Sequence, residues 1–292
     1  MKPLLFVLTL SVMLTACAPQ SNDRSIPFEG IANARDLGGL VMTDGRTVRP
    51  GLLVRSGNLS RATDADVRLL QRRYHLTDVF DFRYDAEAAA DPDREIEGVR
   101  YTHLSTLPQR LIDVFSSGRA DSTQVKSDDF MASLAHYAFN TEAQQMARQL
   151  YPIIIADSIS QRRYGDFLRG VLAAEGGSLW HCSQGKDRAG WGTAFVLAAL
   201  GAPRETIIAD FDLSNRSYIP YVEQLSAQID SLGGGEPEKA FIRAMVGVST
   251  ENFASTLDLI DQRYGSLSSY IETALGFPKD EQEKLRNKYL KN

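Results

Sequence analysis

His181-Cys182-Ser183-Gln184-Gly185-Lys186-Asp187-Arg188-Ala189-Gly190 is the stretch whose reading decides the fold. It lies between a short apolar run, Ser178-Leu179-Trp180-His181, and a long one over residues 189–200, stopped by Gly201-Ala202-Pro203. The first run has the length of a buried strand and the second that of a buried helix, so the segment reads strand, tight loop, helix. That order delivers Cys182 to the carboxyl edge of a sheet, where ligands bind in open α/β folds. The loop amides can turn inward, and a helix starting near Arg188 or Ala189 adds positive potential there. Such a nest suits a phosphate dianion and favours thiolate over thiol. Gly185 fits a curl that a side chain would crowd. Arg188 offers a planar fork for two equatorial phosphate oxygens. The sulfur beneath stands in line to attack phosphorus and form a phosphocysteine.

Working outward, the upstream sequence alternates short strands and helices. Asp44-Gly45 is a hairpin signal between Gly39-Leu40-Val41-Met42 and Thr47-Val48, and Leu52-Leu53-Val54-Arg55 is a further strand. Thr63 can cap a helix over 64–74 with Val67, Leu69 and Leu70 inward. Residues 77–83 read as a buried strand, 85–90 as the start of a helix, 99–104 as another strand and 162–174 as a helix. This rhythm argues for an α/β fold with a central, mostly parallel sheet flanked by helices. Residues 106–151 break it with two helices, 128–139 and 141–150. They form either a helical insertion or lid, or ordinary scaffold. After the loop helix the chain is helical: 204–215, 217–232, a break at Gly233-Gly234-Gly235-Glu236-Pro237, and three more helices.

The bulk composition is that of a globular protein with a full core: 292 residues, 43% apolar and 24% charged. A formal net charge of −5 and the lack of a long basic stretch argue against a nucleic-acid partner. The four histidines, at 75, 103, 136 and 181, stand singly, so no metal or other cofactor is expected. Lys2 followed by an apolar run to Ala16 has the form of a signal peptide, too short to span a bilayer comfortably. It ends in Leu14-Thr15-Ala16-Cys17, which resembles a bacterial lipobox and implies cleavage before Cys17 and lipidation of its thiol. The alternatives are an ordinary signal peptide or a weak single-pass anchor. Ala18 after the cysteine points, by resemblance to enterobacterial sorting signals, to the outer membrane facing the periplasm. The expected divisions are a signal peptide over 1–16, a polar tether over 17–26 and one domain over 27–292. Lipidation would leave Cys182 the sole thiol of an exported chain, a liability unless its reactivity is used.

His-Cys-x-x-Gly-x-x-Arg matches the Cys-x5-Arg signature of protein tyrosine phosphatases, and the fuller His-Cys-x-x-Gly-Lys-Asp-Arg form resembles a bacterial subgroup acting on phosphotyrosine and often on phosphoinositides. Asn33-Ala34-Arg35-Asp36-Leu37-Gly38-Gly39, Arg55-Ser56-Gly57 and Asp81-Phe82-Arg83 are similar to further elements of that family. The resemblance spans about residues 28–290. It implies a tyrosine phosphatase-like fold, with phosphorylated proteins or phosphoinositides as substrates and a lipid anchor holding the enzyme at a membrane. It further implies that Asp187 is the general acid. Ser183, Gln184, Gly185, Lys186, Asp187 and Arg188 would surround the phosphate. The departure is Ala189, where the family carries Thr or Ser; loss of that hydroxyl should slow breakdown of the phosphocysteine.

Asp81 is the second candidate acid, set against an ion pair or cap that supports the loop. His181 reads as a loop brace, and Lys186 as added charge toward a polyanionic substrate or an exposed lysine. Arg35 and Asp36 read as a structural pair, Trp180 and Trp191 as packing. The alternative to a phosphatase is a catalytically weak lipoprotein that binds a phospho-ligand. A sulfurtransferase is disfavoured by Lys186-Asp187-Arg188, and a Walker loop by Asp187 after the lysine.

Overall fold

The computed structural model describes residues 24–117, 134–135 and 137–292. In chain order the elements are β1 (Arg35–Asp36), β2 (Thr47–Val48), β3 (Leu53–Ser56), α1 (Asp64–Arg72), β4 (Leu76–Asp81), α2 (Asp85–Ala90), β5 (Arg100–His103), α3 (Gln109–Ser117), α4 (Thr141–Ala156), α5 (Ser158–Ala173) and β6 (Gly177–His181). Then follow α6 (Asp187–Leu200), α7 (Arg204–Asp212), a 3-10 turn over Leu213–Ser217, α8 (Ile219–Ser231), α9 (Glu236–Val246), α10 (Thr250–Tyr264), α11 (Leu267–Thr273), α12 (Lys279–Tyr289) and β7 (Leu290–Lys291).

The central sheet runs β1-β3-β6-β4-β5. All its pairings are parallel except β1 with β3. Side chains alternate across it with period two. Leu53, Phe80 and Trp180 point into the larger core with α5 and α6, while Val54, Val79 and Leu179 join Ile31, Leu59 and Leu70 on the other face. A helix apolar all round must be buried, and every side chain of α6 from Ala189 to Leu200 is. It lies among α5, α7, α11 and α12. The register sets Ser56, Asp81 and His181 side by side, with His103 opposite Asp81, so one edge carries the carboxyl ends of four strands.

Local signals hold where they were strongest. Thr63 caps α1 in a reciprocal box with Asp66. The Asp44-Gly45 hairpin forms, Gly45 at a φ of 85°, but most of the ladder of β2 is made with β7, an end-of-chain strand that the reading did not foresee. The loop helix starts at Asp187, one to two residues before the expected Arg188 or Ala189. Four helices follow the glycine break rather than three; Gly265, at a φ of 82°, ends α10 and separates the short α11. Within the expected tether 17–26, Arg24 is ion-paired to Asp210 and Ile26 is buried in the core, while residues 17–23 lie outside the described residues.

The signal peptide, Cys17, His136 and most of the helix expected at 128–139 lie outside the described residues. Of the segment 106–151, Thr106, Leu107, Leu111 and Tyr151 are buried, the last three in the main core. Leu134, Ala135 and Ala138 instead share a small separate cluster with Leu225, Ile229, Phe241 and Ile242 of α8 and α9.

Candidate active site

The loop after β6 is shaped by what holds its carbonyls. Ser183 O accepts from the Asn58 amide, and Gln184 O from Tyr218 Oη at 2.8 Å and Asn33 Nδ2 at 3.2 Å. Gly185 O accepts from Asn33 Nδ2 and Arg55 Nη2, and Lys186 O from Arg55 Nη2 and the Gly190 amide. No cis peptide occurs among the described residues. In a trans peptide the N–H points opposite to the preceding C=O. Four carbonyls drawn outward therefore turn the amides of residues 184–187 to the concave side, which is what an anion nest requires. Gly185 is needed twice over: its φ is +68°, and a Cβ there would stand 2.3 Å from the Ser56 carbonyl.

Cys182 is free, 2% exposed, and follows directly on β6. Arg188 is the second residue of α6. Glu87 of α2 takes both its terminal nitrogens, Nη1 to Oε2 at 2.5 Å and Nη2 to Oε1 at 2.9 Å, while Ser183 Oγ donates to the same Oε1 at 2.8 Å. An end-on pair of this kind uses one hydrogen of each terminal nitrogen, so the side of the guanidinium that carries Nε–H stays open to a ligand. Burial opposes the Arg188 charge, but the Cys182 sulfur and Glu87 outweigh it and hold the guanidinium above its ordinary pKa. Burial likewise raises Glu87, and the Arg188 contact more than offsets it, leaving that carboxyl below its usual value.

Behind the loop lies a second charged layer. Asp210 of α7, 2% exposed, is paired with Arg24, Arg35 and Arg55. Burial raises its pKa, yet these guanidiniums hold the carboxyl well below the ordinary range. Three cations against one carboxylate leave net positive charge behind the nest. Burial, then Arg35, push Arg55 down to about 9, so it remains cationic at neutral pH. Arg35 also donates to Asn33 Oδ1 at 2.9 Å and thereby aims the Asn33 amide at the loop.

The expected site residues separate into groups. Cys182, Ser183, Gly185 and Arg188 come together around the nest, and Gln184 is exposed at its rim. Asp187 is half-buried at the first turn of α6 and accepts from Tyr151 Oη at 2.6 Å. Lys186 is a correction: it is 5% exposed, and its Nζ donates to the carbonyls of Met245 and Gly247, at the carboxyl end of α9, rather than projecting to solvent. Asp81 gives both oxygens to Arg83, the structural alternative weighed for it. Arg83 also reaches Asp93, whose Oδ2 lies 3.1 Å from His181 Nε2, and His181 Nδ1 lies 3.3 Å from the Cys182 carbonyl. Asp81, Asp93 and His181 are close enough to share one cation, and the Arg83 guanidinium already bridges the two carboxylates. Arg35 and Asp36 do not pair with each other; Asp36 accepts from the Gly38 and Gly51 amides. Trp180 packs in the core and donates to Thr193, while Ala189 is fully buried. A cleft of ≈ 450 Å³ lined by Thr43, Arg204, Leu257 and Arg286 lies at the opposite end of α6, away from this chemistry.

Glu87, Asp93, Tyr151 and Asp210 escaped the reading of the sequence. A signal existed for Glu87, one of two acids, with Asp85, in an alanine-rich helix starting just after the strand beside β6.

Comparison with known proteins agrees with this geometry. The model of a family described as the tyrosine phosphatase family matches residues 26–291. A Cupriavidus necator protein named as a tyrosine-protein phosphatase is 31% identical over 267 residues, covering 89% of this chain and 87% of that protein. The triple specificity protein phosphatase PtpB of Mycobacterium tuberculosis is 32% identical over 270 residues, 86% of this chain and 93% of its own.

Proposed function

The chain belongs to the tyrosine phosphatase family, and from that premise we propose that it hydrolyses phosphomonoesters through a phosphocysteine on Cys182. It is a protein tyrosine phosphatase; what is proposed is how the site works and what it takes. The observation that carries the reading is the set of loop carbonyls tied outward at residues 183–186, beside an arginine already oriented by Glu87.

The substrate phosphoryl group enters the nest, its non-bridging oxygens held by loop amides and the open side of Arg188. Cys182 Sγ, as its anion, donates an electron pair to phosphorus. The S–P bond forms as the bond to the leaving oxygen breaks, and that oxygen takes a proton from the Asp187 carboxyl. Asp187, now a carboxylate, then accepts a proton from water while the water oxygen attacks phosphorus. The S–P bond breaks and releases phosphate. The engagement of both Asp81 oxygens by Arg83 favours Asp187 over Asp81 as the acid. Ala189 supplies no hydroxyl to ease departure of the sulfur, so the second half-reaction is the slow one, and an aryl phosphate gives a burst before steady turnover.

Phosphotyrosine proteins are the main substrate class; the triple specificity in the name of the M. tuberculosis relative favours a range wider than one class, and phosphoinositides are the second class proposed. Anchoring through a lipidated Cys17 would place the enzyme at the outer membrane, facing the periplasm. The test is Cys182→Ser: turnover is lost while inorganic phosphate still binds with near wild-type affinity. Residual turnover at the wild-type rate would reject the nucleophile. Phosphate release from a panel of phosphopeptides and phosphoinositides sets the substrate range, and loss of lipid label in Cys17→Ser checks the anchor.

A further inference from the structure

Tyr151 belongs to α4, at the end of the segment that interrupts the α/β rhythm, yet its hydroxyl reaches the phosphate loop. It is 3% exposed and donates to Asp187 Oδ1 at 2.6 Å. Its ring is held edge-on by Trp191, Phe211 and Phe253, at centroid distances of 6.0, 5.6 and 6.4 Å. A ring packed on three sides by aromatic neighbours has little freedom to swing, so the hydroxyl stays aimed at one place. Burial, and then the Asp187 charge, push the Tyr151 phenol well above its ordinary pKa, which keeps its proton in place and makes it a permanent donor. The second oxygen, Asp187 Oδ2, lies 3.5 Å from Lys186 Nζ, two of whose three protons are directed to the Met245 and Gly247 carbonyls.

We propose that Tyr151 is a positioning residue for the general acid: by occupying Asp187 Oδ1 it leaves Oδ2 as the oxygen that carries the transferable proton and fixes the carboxyl plane toward the leaving group. This rests on the assignment of Asp187 as acid. The two oxygens of a carboxyl are chemically equivalent until something distinguishes them. A proton on the wrong oxygen is a proton aimed away from the substrate. Here the distinguishing group comes from outside the loop, which makes the interrupting segment part of the catalytic apparatus and not only of the scaffold.

The experiment measures kcat/KM for a series of aryl phosphates whose leaving phenols run from acidic to weakly acidic. That constant reports capture of the phosphoryl group and is blind to the slow breakdown step shared by every substrate. Asp187→Asn tests the premise: it should cost on the order of a hundredfold with phenyl phosphate and far less with an activated dinitrophenyl ester. Tyr151→Phe tests the inference: the loss should be about tenfold for phenyl phosphate, the size of one charged hydrogen bond, and about twofold or less for the activated ester. In the Asp187→Asn background, Tyr151→Phe should add no further leaving-group dependence. A loss equal for all esters, a loss that persists without the acid, or no loss at all would overturn the role of Tyr151. Failure of Asp187→Asn to show leaving-group dependence would instead remove the acid assignment, whatever Tyr151 does. Should Tyr151→Phe be too unstable to assay, 3-fluorotyrosine at the same position keeps shape and donor with a more acidic phenol. The leaving-group slope must then still change, and an unchanged slope overturns the proposal.

Discussion

Glu87 and Arg188 form a two-point ion pair, 2.5 and 2.9 Å, across 101 residues of sequence, and Ser183 closes it from the loop side. The helix that supplies Glu87 begins four residues beyond the carboxyl end of β4, the strand next to β6. On the proposed mechanism, Arg188 is thus set in orientation before any substrate arrives, which spares it the loss of rotamer freedom on binding.

Glu87→Gln should retain the fold and weaken the clamp. The expected fall in kcat/KM is about ten- to a hundredfold, corresponding to the roughly 1.5–3 kcal/mol of a charged hydrogen bond. Competitive inhibition by inorganic phosphate should weaken in parallel. A variant with wild-type phosphate affinity would show that Arg188 orients itself without Glu87.

Asp210→Asn should be destabilising at neutral pH, by roughly 3–5 kcal/mol, because it leaves the buried Arg35 and Arg55, and the half-buried Arg24 beside them, without a counter-charge. The pH dependence has a definite sign. The folded pKa of Asp210 lies below the ordinary 3.8, so its stabilising contribution is complete above that value. It is lost progressively as the pH falls below 3.8 toward the folded pKa. Urea unfolding midpoints of wild type and variant should therefore differ most at neutral pH and converge in acid. A gap that stayed constant down the acid limb would mean the carboxylate charge is not what matters.

Lys186→Met should leave the Met245 and Gly247 carbonyls without their donor. A loss of roughly 1–3 kcal/mol in stability is expected from two buried acceptors stripped of a cation. Because the ammonium does not face solvent, kcat/KM should change by the same factor for singly and multiply phosphorylated substrates. A selective loss with polyphosphorylated substrates would return Lys186 to the binding surface.

What could be read in advance was what is local in the chain. The strand before Cys182, the turn at Gly185, the cap at Thr63 and the hairpin at Gly45 all depend on neighbours within a few residues, and all are where the pattern put them. The supports of the site are not local. Glu87, Tyr151 and Asp210 meet their partners 101, 36 and 155 residues away, and no periodicity encodes such meetings. Lys186 was misread for a related reason. A lysine in a phosphate loop suggests a cation for the substrate, but its Nζ donates to two main-chain carbonyls, which carry no side-chain signature. The β2–β7 pairing was missed because a two-residue strand at the end of a chain has too little sequence to show alternation.

The carbonyl anchors of the loop come from Asn33, Arg55 and Tyr218, near the start of the fold, early in the sheet and well into the helical half. Such distant partners meet late during folding. A chain interrupted in synthesis, or one whose carboxyl half has come undone, would keep its strand and its thiol but not the ring of amides. Competence would then switch on only when the segment carrying Tyr218 docks, so a chain still incompletely folded would pass phosphorylated molecules without acting on them.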